Sequence, residues 1–400
     1  MNGTDHCVID HSKMTTEKRV IKVGSRKSQL ALIQTNNVIN QLNKIHKHVK
    51  FEVVTMSTTG DNILDRALSK IGEKNLFTRE LEEALLDGRV DFVVHSLKDL
   101  PTVLPSGLAI GAICKRDDPR DAVVFHPKHC KLQSLEQLPD GSTLGTSSLR
   151  RGAQLRRLHP KLNLKDVRGN LNTRLRKLTE SDDYDALILA VAGLERMDWH
   201  DKISLPLDPS EFMYAVGQGA MAVECRSNDD KILSFLTEIH DYDTILPCVA
   251  ERAFLKTLEG GCSVPVSVYA KLIKGNFEDK LTLKGGVYSI DGSRCVVETK
   301  SVDINMDDMP QNKSPKYDGP PMYSAVVAKH VSQQALQAAE NLGTALAKHV
   351  IAEGAGKILA EAKQQLATEI IKDNEKRMKD AAEKNGVKSV SEETRNSVAV

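Results

Sequence analysis

Val23-Gly24-Ser25-Arg26-Lys27-Ser28 and Leu144-Gly145-Thr146-Ser147-Ser148-Leu149-Arg150-Arg151 read alike: an apolar run ends in glycine, hydroxyl residues follow, and a basic helix start comes next. Such a junction offers free backbone N–H groups and positive charge to an anion. Outward from the first, Val20 to Gly24 is a strand, and Ala31, Val38, Leu42 and Ile45 share one face of the helix that follows. Phe51 to Met56 is a second strand. Thr78 is placed to cap a helix with Glu80, Glu82 and Glu83 in its early turns and Leu81 and Leu85 inside, and Asp91 to Ser96 is a third strand. Outward from the second junction, strands are expected at Ala122 to Phe125, Thr143 to Gly145, Leu164 to Val167 and Ala186 to Val191, with helices after Ser148 and Asn170. This alternation predicts two α/β domains with mostly parallel sheets. They meet at the charged Lys115-Arg116-Asp117-Asp118-Pro119-Arg120 crossing. From about Asp241 the order becomes helix, strands, helix, which indicates a third, smaller domain.

The 400 residues are 40% apolar, 27% charged and 4% aromatic, with net charge +1. Collagen, a disulfide scaffold and wholesale disorder are excluded, and bulk capture of nucleic acid or membrane by charge is disfavoured. The longest apolar run, Ala186 to Leu194, is about half of the ~20 residues a membrane span needs. The first twenty residues fit neither a signal nor a transit peptide, so the expected address is the cytoplasm. Seven cysteines, odd in number and without a CxxC pair, predict reduced thiols and no metal site. Glu298 to Ser324, polar with four prolines, is expected to be a disordered insertion, and residues 367–400 a solvated helix fraying into a tail.

Between Leu149 and Lys177 ten Lys or Arg stand against the single acid Asp166. One reading is a solvated helix face. The other is a polyanion site, because Arg150, Arg151 and Arg168 sit at strand ends and helix starts that point toward the carboxyl edge of a parallel sheet. No aromatic lies in the segment to stack on bases, so small polycarboxylates fit better than nucleic acid. His95-Ser96-Leu97-Lys98-Asp99-Leu100-Pro101 ends the third strand. Asp99 there either pairs with Lys98 or works as a lone carboxylate that stabilises a cation or moves a proton. Gly217-Gln218-Gly219-Ala220 lets backbone approach a ligand or forms a hinge. Cys262, in Glu259-Gly260-Gly261-Cys262-Ser263-Val264-Pro265, is a loop cysteine open to covalent chemistry or an unremarkable thiol. Gly60 to Asn75 is expected to be a lid over the cleft, or else a short surface helix packed through Ile63, Leu64, Ala67 and Leu68.

Together VGSRKSQLALIQT, FTRELEEALLDGRVDFVVHSLKDLPT, GTSSLRRGAQL, VRGNLNTRL, YAVGQGAMAVECR and EGGCSVPV, in this order, resemble the porphobilinogen deaminases of haem biosynthesis, from about Val20 to Leu366. The resemblance implies two periplasmic-binding-protein-like α/β domains, residues 18–116 with 217–238 and residues 117–216, and a small α/β domain, 239–366, that presents the cysteine. The polar insertion resembles those of animal enzymes, and the family offers no role for 367–400. The implied activity is deamination and head-to-tail joining of four porphobilinogens on a covalent dipyrromethane, releasing hydroxymethylbilane, with monomeric enzymes as the family pattern.

Carried over position by position, Cys262 holds the dipyrromethane as a thioether and Asp99 is the catalytic carboxylate. Lys98, Ser147, Arg150, Arg151 and Arg174 match cofactor-binding positions, whereas Arg26, Ser28, Ser96, Arg168, Arg196, Gln218 and Gly219 match positions that bind porphobilinogen and the growing oligopyrrole. Two other classes stay open: a binding module for a carboxylate effector, which needs no Cys262, and an RNA-binding protein with a steep salt dependence.

Overall fold

The computed structural model describes residues 20–62, 76–258, 264–276, 278–305 and 321–375. The first unit opens with β1 (Val20–Arg26), α1 (Gln29–Ile45), β2 (Lys50–Met56), the single turn α2 (Thr59–Asn62), α3 (Arg79–Leu86), β3 (Phe92–Ser96) and β4 (Leu108–Ile113). The chain then crosses into a second unit: β5 (Asp121–Phe125), β6 (Thr143–Gly145), α4 (Leu149–Leu158), β7 (Asn163–Lys165), α5 (Leu171–Glu180), β8 (Ala186–Ala190), α6 (Val191–Arg196) and β9 (Leu205–Pro206). It returns to the first with β10 (Met221–Arg226) and α7 (Asp230–Leu236).

Each unit has a five-stranded sheet, ordered β2-β1-β3-β10-β4 and β7-β6-β8-β5-β9. As expected, the sheets are mostly parallel, four of five strands in each running the same way. β1 and β6 pair in parallel with both neighbours, but β10 runs antiparallel between β3 and β4, and β5 runs antiparallel between β8 and β9. The reason is the double crossing: β5 and β10 each enter a sheet straight from the other unit, with no βαβ crossover to turn the strand parallel. Leu108-Ala109-Ile110-Gly111-Ala112-Ile113, buried throughout as β4, went unread in sequence because it is a continuous apolar run without period.

α1 forms as its spacing predicts, with Ala31, Val38 and Leu42 buried against the sheet, although Ile45 at its end is exposed. Thr78 departs from expectation. It stands at the start of α3, yet its side chain makes no capping hydrogen bond.

The third unit packs α8 (Tyr242–Thr257) and α9 (Gln333–Val350) on an antiparallel sheet of β11 (Val266–Ile273), β12 (Glu278–Tyr288) and β13 (Cys295–Asn305). The helices cross so closely that a Cβ on Gly343 would lie 2.1 Å from the Ala250 carbonyl oxygen. The insertion starts later than expected: residues from Glu298 to Asn305 belong to β13 and pair with β12. The strand is polar because one face meets solvent while Val302 and Ile304 point to the core. Residues 306–320 lie outside the described residues. A helix continues over 356–375, burying Ile358, Leu359, Ala362 and Leu366.

A buried ion pair fastens the three units where the chain crosses. Arg116 meets Glu251 of α8 at 2.6 and 3.0 Å and donates through Nε to the Gln218 carbonyl. Glu251 Oε2 also accepts from the Gly217 N–H at 2.8 Å. Burial alone would lower the Arg116 pKa, but Glu251 holds it well above the ordinary value.

Candidate active site

On the first wall, β3 ends at Ser96 and the turn Leu97–Asp99 follows, with Leu97 buried beneath it. Lys98 and Asp99 are left on the cavity side. Burial pushes the Lys98 ammonium down to about 8, with Arg151 and Arg150 adding to the shift and Asp99 and Asp121 opposing it. Asp99 is exposed and makes no hydrogen bond or contact ion pair among the described residues, so it is not spent on Lys98. Ser28 caps α1, its Oγ accepting from the Ala31 N–H at 3.4 Å. Arg26, at the end of β1, grips Asp61 and lies 4.3 Å over the Phe77 ring. Burial would raise the Asp61 carboxyl, but Arg26 and Thr58 hold it below its usual range.

On the second wall, Ser148 caps α4 and so sets Arg150 and Arg151 at the helix start. Arg151 donates to Asp121 Oδ1 at 3.0 and 2.6 Å, and Arg150 lies 2.8 Å from Oδ2. Asp121 is fully buried, which would raise its carboxyl, yet Arg150 and Arg151 keep it well below normal. Gln218 donates to the same carboxylate at 2.9 Å. Arg174 donates to the Gly169 carbonyl, and burial with the neighbouring Arg151 pushes it down to about 10 against the pull of Asp99. Arg168 pairs with Asp166 at 2.8 Å, and Ser147 Oγ donates to the Val167 carbonyl.

Arg196 bridges the two units, reaching Asp117 at 2.8 Å and the Gly219 carbonyl at 2.6 Å. Gly219 has φ +87°, and a Cβ there would stand 2.6 Å from the Asp117 oxygen, so only glycine fits. Across the cleft mouth Asn172 Nδ2 donates to Gln29 Oε1 at 2.9 Å.

Between these walls lies a cavity of about 580 Å³. Arg26, Ser28, Ser96, Lys98, Asp99, Ser147, Arg151, Arg168, Arg174, Arg196 and Gly219 all line it. Arg150 and Gln218 do not; they stand behind the wall and hold Asp121. Cys262 and Ile63 to Asn75 of the expected lid lie outside the described residues. Sequence reading missed the roles of Asp61, Asp117 and Asp121, which position four of the arginines, Arg26, Arg196, Arg150 and Arg151. For Asp117 the signal is the Lys115 to Arg120 run, which reads as a crossing because charge and proline dominate it, and Asp121 follows it directly.

Residues 21–234 match the family model "Porphobilinogen deaminase, dipyromethane cofactor binding domain", and 245–313 match "Porphobilinogen deaminase, C-terminal domain". The porphobilinogen deaminase of Synechococcus elongatus is 53% identical over 71% of this chain and 87% of its own. Those of Bacillus velezensis and Dictyostelium discoideum are 49% and 48% identical over 70% and 71% of this chain, and 88% of their own in each case. Among solved structures, the BenM effector binding domain aligns over 57% of this chain and 90% of its own at 15% identity with TM-score 0.34, too weak a likeness to carry an inference. With a model match covering more than half its length and relatives near 50% identity, the chain belongs to the porphobilinogen deaminase family.

Proposed function

We propose that Asp99 is the reacting carboxylate of this cleft, and that Lys98 and the cavity-lining arginines hold the carboxylates of porphobilinogen, of the primer and of the growing chain. The reaction is that of the family: porphobilinogen is deaminated and polymerised toward hydroxymethylbilane. The observation that carries the residue assignment is the unpaired Asp99 carboxylate in a cavity lined by Arg26, Lys98, Arg151, Arg168, Arg174 and Arg196, where the other lining carboxylate among the described residues, Asp61, is taken by Arg26. Among the described residues Lys98 and Arg174 have no carboxylate in contact, and their charged forms are disfavoured by burial. A dipyrromethane, with two carboxylates on each ring, fits that deficit. When bound through Cys262 it supplies the free pyrrole carbon on which the chain grows.

Asp99 Oδ accepts from a pyrrole N–H and offsets the positive charge that develops on the ring as ammonia leaves. The same carboxylate takes the ring C–H proton once the next carbon–carbon bond has formed. Arg151, fixed by Asp121, keeps its fork pointed at one place, so a carboxylate that docks there arrives at a preorganised partner. The reading extends to a monomer acting in the cytoplasm without nucleic acid or membrane. Near-neutral charge and an aromatic-free basic segment support it, and among the described residues no helix is long and apolar enough to cross a membrane. Ammonia and tetrapyrrole counted together test the function: four ammonia released per bilane is expected, and substrate bound without ammonia release would leave only a binding module.

A further inference from the structure

Behind Asp99 a second, smaller chamber of about 50 Å³ opens off the main cavity, sharing Arg26, Ser28, Leu30, Phe77, Ser96 and Asp99 with it, the Arg26 guanidinium being taken up by Asp61. Its remaining polar wall is Gln34, Thr78 and His95. Thr78 is 1% exposed, its side chain does not cap α3, and among the described residues its Oγ1 has no hydrogen-bond partner. A buried hydroxyl left unmatched costs about 1–3 kcal/mol, so its persistence points to a ligand. Gln34, 3% exposed, donates through Nε2 to Ser96 Oγ at 2.8 Å, which fixes the amide and the serine together. His95 is held from behind by Glu224 at 3.0 Å. The chamber is too small for a pyrrole; one or two molecules the size of water, each with a share of about 30 Å³ in the liquid, fill it.

We infer that this chamber, beside Asp99 and walled by Gln34, Thr78 and Ser96, receives the ammonia that leaves porphobilinogen. The inference rests on the reaction proposed above. The substrate arm enters as –CH2–NH3+; its C–N bond breaks with the electron pair going to nitrogen, and ammonia departs. The positive charge stays on the pyrrole and its methylene, facing Asp99, until the next pyrrole carbon attacks and loses its ring proton. Ammonia carries three N–H donors, and the Thr78 hydroxyl is an acceptor waiting for one. Drawing ammonia aside clears the methylene for attack and hinders recapture of the cation by the amine.

The test is product inhibition of the holoenzyme by ammonium chloride during porphobilinogen consumption, with potassium chloride and tetramethylammonium chloride at equal concentration as controls. Ammonium is expected to inhibit beyond both. In Thr78→Val, which keeps the shape and removes the hydroxyl, the inhibition constant should rise about tenfold, the loss of one good hydrogen bond. Thr78→Ser should keep the original constant, and Thr78→Ala carries the same expectation as Thr78→Val should the valine variant fold poorly. Each constant is read against the same variant without ammonium, so a change in kcat alone does not move it. Equal inhibition by all three salts, or an unchanged constant in both Thr78→Val and Thr78→Ala, would overturn the inference while the variants still make bilane. A chain that makes no bilane would instead overturn the functional reading.

Discussion

In the turn after β3, Leu97 is buried while Asp99, two residues on, is exposed and lines the cavity. Because it anchors nothing, Asp99→Asn should leave thermal unfolding unchanged while kcat falls by about 10²–10⁴, the range for a lost proton-transfer group; steady-state kinetics and a melting curve on one preparation check both halves. Lys98 gives a prediction with a pH sign. Its pKa is pushed down to about 8 in the folded chain without bound carboxylates, against an ordinary 10.5. A depressed lysine pKa means that the charged form opposes folding below 8, and that this opposition fades as pH rises from about 8 to 10.5. In a Cys262→Ser background, which carries no dipyrromethane, Lys98→Met should therefore raise the urea midpoint at pH 7, with a gain that shrinks at pH 9.5. A gain that grows with pH would show that Lys98 is stabilised by a partner.

At the scale of elements, α4 carries its own control. Arg151 is 7% exposed and bonded to buried Asp121, whereas Arg157 lies on the solvent face of the same helix. Arg151→Gln leaves Asp121 short of a partner and should cost about 3 kcal/mol or more of stability as well as dipyrromethane loading; Arg157→Gln should stay within about 0.5 kcal/mol and load fully. Chemical denaturation with intact mass separates the two losses.

The same elements show what the sequence reveals and what it hides. The Gly-hydroxyl-basic junctions place β1, α1, β6 and α4 because the signals are local: a strand end, a cap and a helix period. The antiparallel course of β5 and β10 depends on which unit the chain has just left, and the roles of Asp117 and Asp121 depend on contacts made across the crossing. Thr78 is the instructive miss at a single position. Its sequence is that of a cap, but its hydroxyl makes no capping bond and the residue lines the small chamber.

For the whole molecule, the two cleft walls come from different units and are joined covalently at the crossing, with the Asn172–Gln29 hydrogen bond as a further tie between them. Arg116, Gly217, Gln218 and Glu251 are the fastening. Glu251→Gln removes the charge that keeps buried Arg116 satisfied and should cost about 3–5 kcal/mol. It touches no cavity-lining residue, so loss of activity should follow loss of fold, with residual folded protein still turning over. Most direct for the central claim is the intact mass of the purified chain given limiting porphobilinogen. The expected spectrum starts two pyrrole units above the sequence mass and climbs in single-pyrrole steps, and Cys262→Ser shows the bare mass at every substrate level. A wild-type chain that stays at its sequence mass while consuming porphobilinogen would contradict covalent growth in this cleft.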